Sequence, residues 1–463
     1  MSHCTRLTRY RPADVAAILE TLAMAHPVAV VGLSNFGKST LLRQMVAPAV
    51  AGHYHALTGQ SALFVYIDCN RMLQMSAQGF YEIILRAILE TLDAPDYDCA
   101  ALCEHLQTYY ERVVGSQSAF AIPLAFNDAI ITLLEDPTTP QNVILLLDEF
   151  DDVLTELDER VFLNMRALKD KYAHLNYVTA TQRPLSSAGG GDDLGEFLEV
   201  FAAQRHYLQP LDDEAATDLA AEVFTQNNDT LDPPERDFIL AQAGGHPGLI
   251  QSVAHVVLSI ESGAPPAYTQ QALSMAGDVL QNHRLVRNEL GKLWKQLLPA
   301  ERAAASLAAA QGPAALTPVQ QEDLLARGLL VSDERGLRLF SALFAHYARR
   351  QGLAQREVPS GVWVDIDAGA VWVSGRPVES LTDLEYRLLL LLYGRMDKIC
   401  DKYQIVETVW GQEYLADVDD ARIEKLVSRL RSKLEPDPAQ PQHLLTVRGR
   451  GYKLTQGGEQ SEP

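Results

Sequence analysis

Four short apolar runs punctuate the N-terminal part of the chain: Val28–Val31, Leu63–Ile67, Val143–Leu147 and Tyr177–Thr181. These runs are rich in β-branched residues and bounded by turn or polar residues. Helical periodicity fills the gaps between them, which predicts a parallel sheet with helices on its faces. The interval from about Arg71 to Pro140 is helical and reads as an insertion on that sheet. Ser186–Asp193, SSAGGGDD, is too glycine-rich for a regular element and reads as a mobile surface loop.

From about Leu208 the strand pattern stops. Asp212–Phe224, Glu235–Ala243 and Gly248–Ser259 carry helical spacing and predict a small helical domain. A further helical stretch, Ala267–Leu297, leads into the alanine-rich Ala303–Ala310. The segment LLARGLLVSDERGLRLFSALFAHYAR then reads as a helix end, a two-stranded wing turning at Asp333–Gly336, and an amphipathic helix. That order predicts a winged helix. Gln351–Pro359 is polar and suits a linker, and Gly361–Thr455 reads as short strands, three helices and a final hairpin. No repeat of 20–50 residues is present, so no solenoid or propeller array is expected.

Composition narrows the class. A chain of 463 residues with 47% hydrophobic positions should hold about three cored domains. No segment approaches the ~18–20 apolar residues that span a bilayer, and MSHCTRLTRYRP has no apolar signal core. A cytoplasmic protein without a membrane partner is expected. The five cysteines are scattered, and Cys99 and Cys103 at helical spacing read as buried thiols rather than metal ligands. His53 and His55 have nothing nearby to complete a ligand set. The net charge of -21 excludes a chain that coats nucleic acid along its whole length, though not one locally basic module.

GLSNFGKST, Gly32–Thr40, has the form G-x-x-x-x-G-K-[ST], follows the strand Val28–Val31 and opens a helix near Lys38. Gly32 and Gly37 let the backbone wrap closely, so that N–H groups point at phosphate oxygens. The nucleotide-binding candidates in the loop are Gly32, Asn35, Gly37, Lys38, Ser39 and Thr40. Lys38 is expected to reach the β- and γ-phosphates, with a catalytic role, and Ser39 to ligate Mg²⁺. The second half of the site is NVILLLDEFDD, whose strand ends in Asp148-Glu149 at the carboxyl edge of the sheet. Asp148 suits the Mg²⁺ shell, and Glu149 is placed to orient or activate a water. Asp151 and Asp152 suit a helix N-terminus. Arg183, in Thr181-Gln182-Arg183-Pro184, is a candidate γ-phosphate sensor.

The order of GLSNFGKST, LLLDEFDD, the ATQRP strand tip and Gly244-Gly245-His246-Pro247-Gly248 resembles the signal-transduction ATPases of the STAND class, relatives of the AAA+ ATPases. The resemblance covers roughly residues 10–350. It implies a nucleotide-gated switch, with Pro247 packed against an adenine ring and a winged helix near 290–350. The family's sensing repeat array is not visible, and no arginine finger can be named.

The segment SLTDLEYRLLLLLYGRMDKICDKYQIVETVWG begins with Thr382 and Glu385 at capping-box spacing. A leucine-rich helix, a turn near Asp397 and a second helix follow. After Asp417–Asp420 comes ARIEKLVSRLRSKLE, with Ile423, Val427, Leu430 and Leu434 on a core face and Arg422, Lys425, Arg429 and Lys433 on another. From Ala421 to Lys453 there are eight lysines and arginines against three acidic residues, an excess confined to one helix and the hairpin TVRGRGYKL. A helix in the major groove backed by a hairpin at the phosphates accounts for it. In that hairpin Thr446–Arg448 and Tyr452–Leu454 are the expected strands, with Gly449-Arg450-Gly451 turning between them.

Gly361–Thr455 resembles the winged helix-turn-helix effector of OmpR/PhoB-type response regulators, carried by LTDLEYRLLLLL, VETVWG, the helix Ala421–Leu434 and TVRGRGYKL. The resemblance implies Arg422 and Lys425 as base readers, Arg429 and Arg431 as phosphate contacts, and Arg450 as the wing residue at the minor groove. In place of that family's phosphorylatable receiver, the chain carries the phosphate-loop region.

The expected architecture is multidomain α/β plus α. It comprises a P-loop parallel-sheet ATPase core (1–207), a helical lid with the GGHP motif (208–282), a winged helix (283–355) and a C-terminal winged helix-turn-helix (356–463). The expected function is a nucleotide-gated transcriptional regulator. It would use ATP/ADP and Mg²⁺, hydrolyse ATP slowly, bind double-stranded DNA and form a homo-oligomer on activation. Two other classes fit the same motifs: a defence or stress switch gripping a protein or foreign nucleic acid, and a DNA-dependent ATPase.

Overall fold

The computed structural model describes residues 8, 10–94, 99–185, 204–261, 277, 279–333, 336–356, 361–365, 370–374, 376–378, 381–411, 420–435, 437–438 and 440–456. The loop expected at 186–193 lies outside them, as do 262–276 and most of Asp417–Asp420. The chain divides into two compact units, Met1–Arg350 and Gln351–Pro463.

The first unit is built on a five-stranded parallel sheet. Its strands are β1 (Val28–Val31), β2 (Ala62–Asp68), β3 (Asn142–Asp148), β4 (Leu175–Thr181) and β5 (Arg205–Tyr207), in the spatial order β2-β3-β4-β1-β5. The four apolar runs are thus the first four strands, each extended by a residue or two except β1. The fifth was not expected, because Arg-His-Tyr is short, polar and lies at an edge with incomplete burial. Alternate side chains serve opposite faces, as the strand period requires. Val28, Val30, Phe64, Ile144, Leu146, Val178 and Ala180 join one core, while Leu63, Val65, Ile67, Val143, Leu145 and Leu147 join another.

The second of these cores is covered by helices Ala77–Leu92, Ala100–Gly115 and Ala121–Glu135, the insertion between β2 and β3, together with Asp151–Glu156 and Glu159–Lys171. The first core does not stop at the sheet. It runs from Val15 through helix Lys38–Met45 into helices Asp213–Gln226, Pro233–Ala243 and Pro247–Glu261, and on to Leu293, Phe340 and Phe344. Helices Arg284–Gln296, Pro299–Gln311 and Pro318–Ala326, the hairpin β6 (Leu330–Asp333) and β7 (Gly336–Leu339), and helix Ala342–Arg356 follow in that order along the chain. Through this continuous core, movement of the helical segments is resisted by packing against the sheet face behind the phosphate loop.

The second unit opens with a three-stranded sheet of β8 (Val362–Asp365), β9 (Ala370–Val373) and β10 (Arg376–Pro377). Helices Asp383–Tyr393, Lys402–Val409 and Asp420–Leu434 follow, then the hairpin β11 (Leu444–Val447) and β12 (Gly451–Leu454). Glu385 accepts the Thr382 N–H at 2.9 Å, closing the capping box expected there. Ile423, Val427, Leu430 and Leu434 are buried in this unit's own core. The wing differs from the expected register. Val447 pairs with Gly451, so Arg448, Gly449 and Arg450 form the turn and Gly451 belongs to the strand. The cause is Cys400, whose carbonyl accepts the Tyr452 N–H at 3.0 Å; a Cβ at position 451 would run into that carbonyl.

Candidate functional site

The phosphate loop leaves β1 at the carboxyl edge of the sheet. Gly32 N–H is bonded to the Thr181 carbonyl at 3.0 Å, which fixes the loop's root to the neighbouring strand β4. Asn35 and Gly37 both have left-handed backbones, with φ of 58° and 89°. At Gly37 a side chain would also run into the Tyr10 hydroxyl, so glycine is required twice over. Helix Lys38–Met45 starts directly after this turn. Lys38 is 5% exposed, and its ammonium donates to the carbonyls of Gly32 at 2.9 Å and Leu33 at 3.3 Å. Burial lowers its pKa, opposed by the charges of Glu149, Asp151 and Asp148.

Asp148 ends β3 and is buried. Its Oδ2 accepts from the Tyr66 hydroxyl at 2.7 Å and its Oδ1 from the Glu149 N–H at 3.0 Å. Glu149 itself sits at a φ of 52°, a backbone state that costs a non-glycine residue about 1–3 kcal/mol and clusters at functional positions. Burial raises its carboxyl pKa, with Lys38 opposing and Asp148 reinforcing. A half-buried carboxylate near a buried ammonium is suited to holding a proton or orienting water. Asp151, read from sequence only as a helix-start residue, does more. Both its oxygens accept the Gln182 N–H, at 3.0 and 2.9 Å, so it clamps the tip of β4.

A cavity of about 780 Å³ lies over the loop. Its lining brings together Asn35, Gly37, Lys38, Ser39, Thr40, Glu149 and Pro247. Gln182 lines it as well, whereas Arg183 does not. Arg183 takes part through its main chain, its carbonyl accepting from the Thr181 hydroxyl at 2.7 Å. The carbonyl of Gln182 in turn accepts from Arg327 at 3.0 Å, and Arg327 pairs with Glu301 at 3.0 Å, both side chains nearly buried. The donor set of loop, ammonium and hydroxyls suits a phosphate anion, and Ser39 with Asp148 offers oxygen ligands of the kind Mg²⁺ takes.

Tyr10, Glu289 and Gln296 also belong to the site and were not found from sequence. Tyr10 lines the cavity beside Arg11, which bonds the Phe36 carbonyl at 2.9 Å and the Gln209 carbonyl at 2.8 Å. Ser34 N–H donates to Gln296 Oε1 at 2.7 Å, and the Asn35 amide donates to Glu289 Oε2 at 2.5 Å. His246 is fully buried edge-on against Phe36, ring centroids 4.8 Å apart, and its Nδ1 accepts the Leu249 N–H at 3.1 Å. Burial pushes its pKa down to about 4.

In the second unit Arg422, Lys425 and Arg429 are exposed on helix Asp420–Leu434, and Arg450 is exposed at the wing turn. Arg431 is turned elsewhere. It donates to the Leu444 carbonyl at 2.8 Å and the Thr446 hydroxyl at 2.7 Å, tying the helix to β11. Lys433 is paired with Glu385 at 2.7 Å. Three groups of the basic helix thus face outward, and two hold the module together.

Residues 375–454 match the family described as "Transcriptional regulatory protein, C terminal". The sensory transduction protein RegX3 of Mycolicibacterium smegmatis is 41% identical over 93 residues, 20% of this chain and 40% of that protein. The chain spans between 40% and 55% of the length of the RegX3 proteins it matches. The C-terminal module therefore carries an OmpR/PhoB-type DNA-binding fold. Among solved structures, the DNA-binding domain of CpxR from E. coli is 28% identical over 21% of this chain and 94% of its own, with a TM-score of 0.18. The Walker-type ATPase of Pyrococcus abyssi covers 74% of this chain and 96% of its own at 14% identity, with a TM-score of 0.43. Among the described residues no helix is long and apolar enough to cross a membrane.

Proposed function

We propose that the chain is a nucleotide-gated transcriptional regulator. Residues 1–207 form the ATP-binding core, 208–282 the helical lid, 283–355 a winged helix and 356–463 the DNA reader. One observation carries the reading. A single chain holds both a cavity lined by Lys38 and Glu149, with Asp148 buried directly behind Glu149, and a C-terminal module of the transcriptional-regulator family.

In this reading the N–H groups at the start of helix Lys38–Met45 and the Lys38 ammonium hold the phosphates, and Thr40 adds a donor at the helix start. Ser39 and Asp148 hold Mg²⁺, and Glu149 orients the attacking water. ATP supplies the scissile phosphate, and hydrolysis is slow because its role is to reset the switch. Pro247 lies at the cavity wall, where it would pack against the base. Gln182 takes the γ-phosphate-reading role expected of Arg183, supported by its place in the cavity lining. Arg422, Lys425 and Arg429 meet DNA from the helix, Arg450 from the wing, and dimerisation on activation doubles those contacts.

The deciding experiment measures duplex-DNA affinity and particle mass of the full chain with ADP and with a non-hydrolysable ATP analogue. Different affinity or mass in the two states is expected; identical values in both would refute gating. Rapid turnover stimulated by DNA would instead identify a DNA-dependent ATPase.

A further inference from the structure

Two cysteines of the insertion between β2 and β3 face each other. Cys99 Sγ and Cys103 Sγ lie 3.6 Å apart at the start of helix Ala100–Gly115. Four-residue spacing alone does not bring this about. On a regular helix, side chains four apart have Cβ atoms about 5–6 Å from each other, and a disulfide needs roughly 3.5–4.5 Å. Cys99 escapes that constraint because it is the N-cap, with a non-helical backbone of φ −135° and ψ 36°. Its carbonyl accepts the Cys103 N–H at 2.9 Å, so one turn holds both residues while the cap geometry turns the sulfurs together.

The two thiols differ in what can reach them. Cys99 is 6% exposed and packs in the insertion's core, where its thiol donates to the carbonyl of Leu92 at 3.6 Å. Leu92 is the last residue of helix Ala77–Leu92. A thiol carries one hydrogen, so the hydrogen between the two sulfurs comes from Cys103. Cys103 is only half-buried, whereas Cys69 and Cys400 are buried. A thiol open to a small oxidant thus stands against a second, sheltered thiol, the arrangement of an attacked and a resolving cysteine. Among the described residues no group of three metal-ligating side chains forms, and a structural zinc site needs four ligands. Thiol chemistry, rather than metal binding, is what this pair offers.

We propose that Cys99 and Cys103 form a hydroperoxide-reactive dithiol, a modification site independent of the nucleotide and DNA readings above. The Cys103 sulfur attacks a peroxide oxygen, the O–O bond breaks, and the leaving oxygen departs as water or an alcohol. The sulfenic acid left on Cys103 is then attacked by the Cys99 sulfur. The S–O bond breaks, water leaves with the Cys99 proton, and the S–S bond forms. The two sulfurs together give up two electrons and two protons, and the peroxide takes up both. A small-molecule dithiol reverses the bond by exchange. Closure draws the sulfurs from 3.6 Å to about 2.05 Å and withdraws the hydrogen given to Leu92. The junction between the two helices therefore changes with the redox state of the pair.

The test is exposure of the folded full chain to hydrogen peroxide, followed by alkylation and peptide mass mapping. The segment holding Cys99 and Cys103 should lose two hydrogens and take no alkylating agent, before Cys69 or Cys400 is modified. Dithiothreitol should restore both thiols. This result needs no variant to fold. Cys99→Ser removes the resolving thiol and should leave a sulfenic acid on Cys103 that dimedone captures, whereas Cys103→Ser should leave Cys99 reduced. Two alkylated thiols in the oxidised wild-type segment overturn the proposal. So does a disulfide from either residue to another cysteine, or dimedone capture at Cys99 in Cys103→Ser.

Discussion

The Tyr66 hydroxyl donates to Asp148 Oδ2 at 2.7 Å, so a side chain from β2 orients the carboxylate that ends β3. The two residues lie 82 positions apart, on strands paired from Ala62↔Asn142 to Asp68↔Asp148. Such a partner fixes the carboxylate's rotamer, and outer partners of this kind tune a metal ligand's affinity.

Tyr66→Phe keeps the ring and removes that donor. The expected stability loss is about 1 kcal/mol, since Asp148 retains the Glu149 N–H. The Mg²⁺ concentration needed for half-maximal nucleotide binding should rise roughly tenfold, the lower end of second-partner effects, with affinity at saturating Mg²⁺ little changed. Urea unfolding and Mg²⁺ titrations of nucleotide binding check the two halves separately.

His246 gives the fold an acid limit. Its pKa falls from 6.5 to about 4 because the ring is fully buried among Phe36, Phe340 and the Leu249 N–H. Glu289 opposes that shift without reversing it. The native state therefore holds the neutral ring, while the unfolded chain takes up a proton below pH 6.5. Stability contributed by this group is complete above pH 6.5 and is lost as pH falls toward 4, by about 3 kcal/mol at 1.36 kcal/mol per unit. His246→Gln should lower stability at neutral pH yet flatten the slope across that window. Parallel slopes in urea titrations of the two proteins would refute the assignment.

Contiguous chemistry was readable and long-range contact was not. Gly32–Thr40 and Asp148-Glu149 are local patterns whose meaning depends on neighbours in the chain, and the apolar runs around them located the strands that carry them. Glu289 and Gln296 meet the loop from 254 and 262 positions away, out of a stretch that reads as an ordinary charged helix face. Asp151 looked like a residue favouring a helix start, and only the register of β3 beside β4 turns it toward Gln182. In the C-terminal module helical spacing separated Arg431 from the Arg422–Arg429 face but could not say what it bonds. That answer needed the position of β11.

Two glycines of the wing should respond differently to the same change. Gly449 has a φ of 71° in open space, so Gly449→Ala carries mainly backbone strain, about 1 kcal/mol. Gly451 has a φ of 131° and its added Cβ would meet the backbone of Cys400 and Asp401. Neither neighbour is a flexible side-chain end, so Gly451→Ala should cost roughly 3 kcal/mol or more, with the pairing of Cys400 and Tyr452 lost. Thermal melts followed by hydrogen exchange at the Tyr452 amide distinguish a local loss from a global one. Equal destabilisation by both substitutions would show that the close approach to Cys400 is not limiting.

Arg450 and Arg431 should separate two ways of weakening DNA binding. Arg450 is exposed at the wing turn, so its removal deletes a cation without touching the packing. Binding driven by phosphate neutralisation falls with salt in proportion to the phosphates contacted, at about 0.9 per contact for duplex DNA. Arg450→Ala should therefore weaken binding to duplexes of unrelated sequence and reduce the salt slope by about one unit, with stability unchanged. Arg431→Ala removes two hydrogen bonds that hold helix Asp420–Leu434 to β11, and it leaves the Leu444 carbonyl and the Thr446 hydroxyl to other partners. Its expected signature is a stability loss of about 1–3 kcal/mol, as for hydrogen bonds to a charged group. DNA affinity would follow the population of folded module, and the salt slope would stay at its wild-type value. Fluorescence anisotropy over a range of salt concentrations, paired with urea unfolding, resolves the two patterns. A reduced slope in Arg431→Ala would return that residue to the phosphate-contacting set.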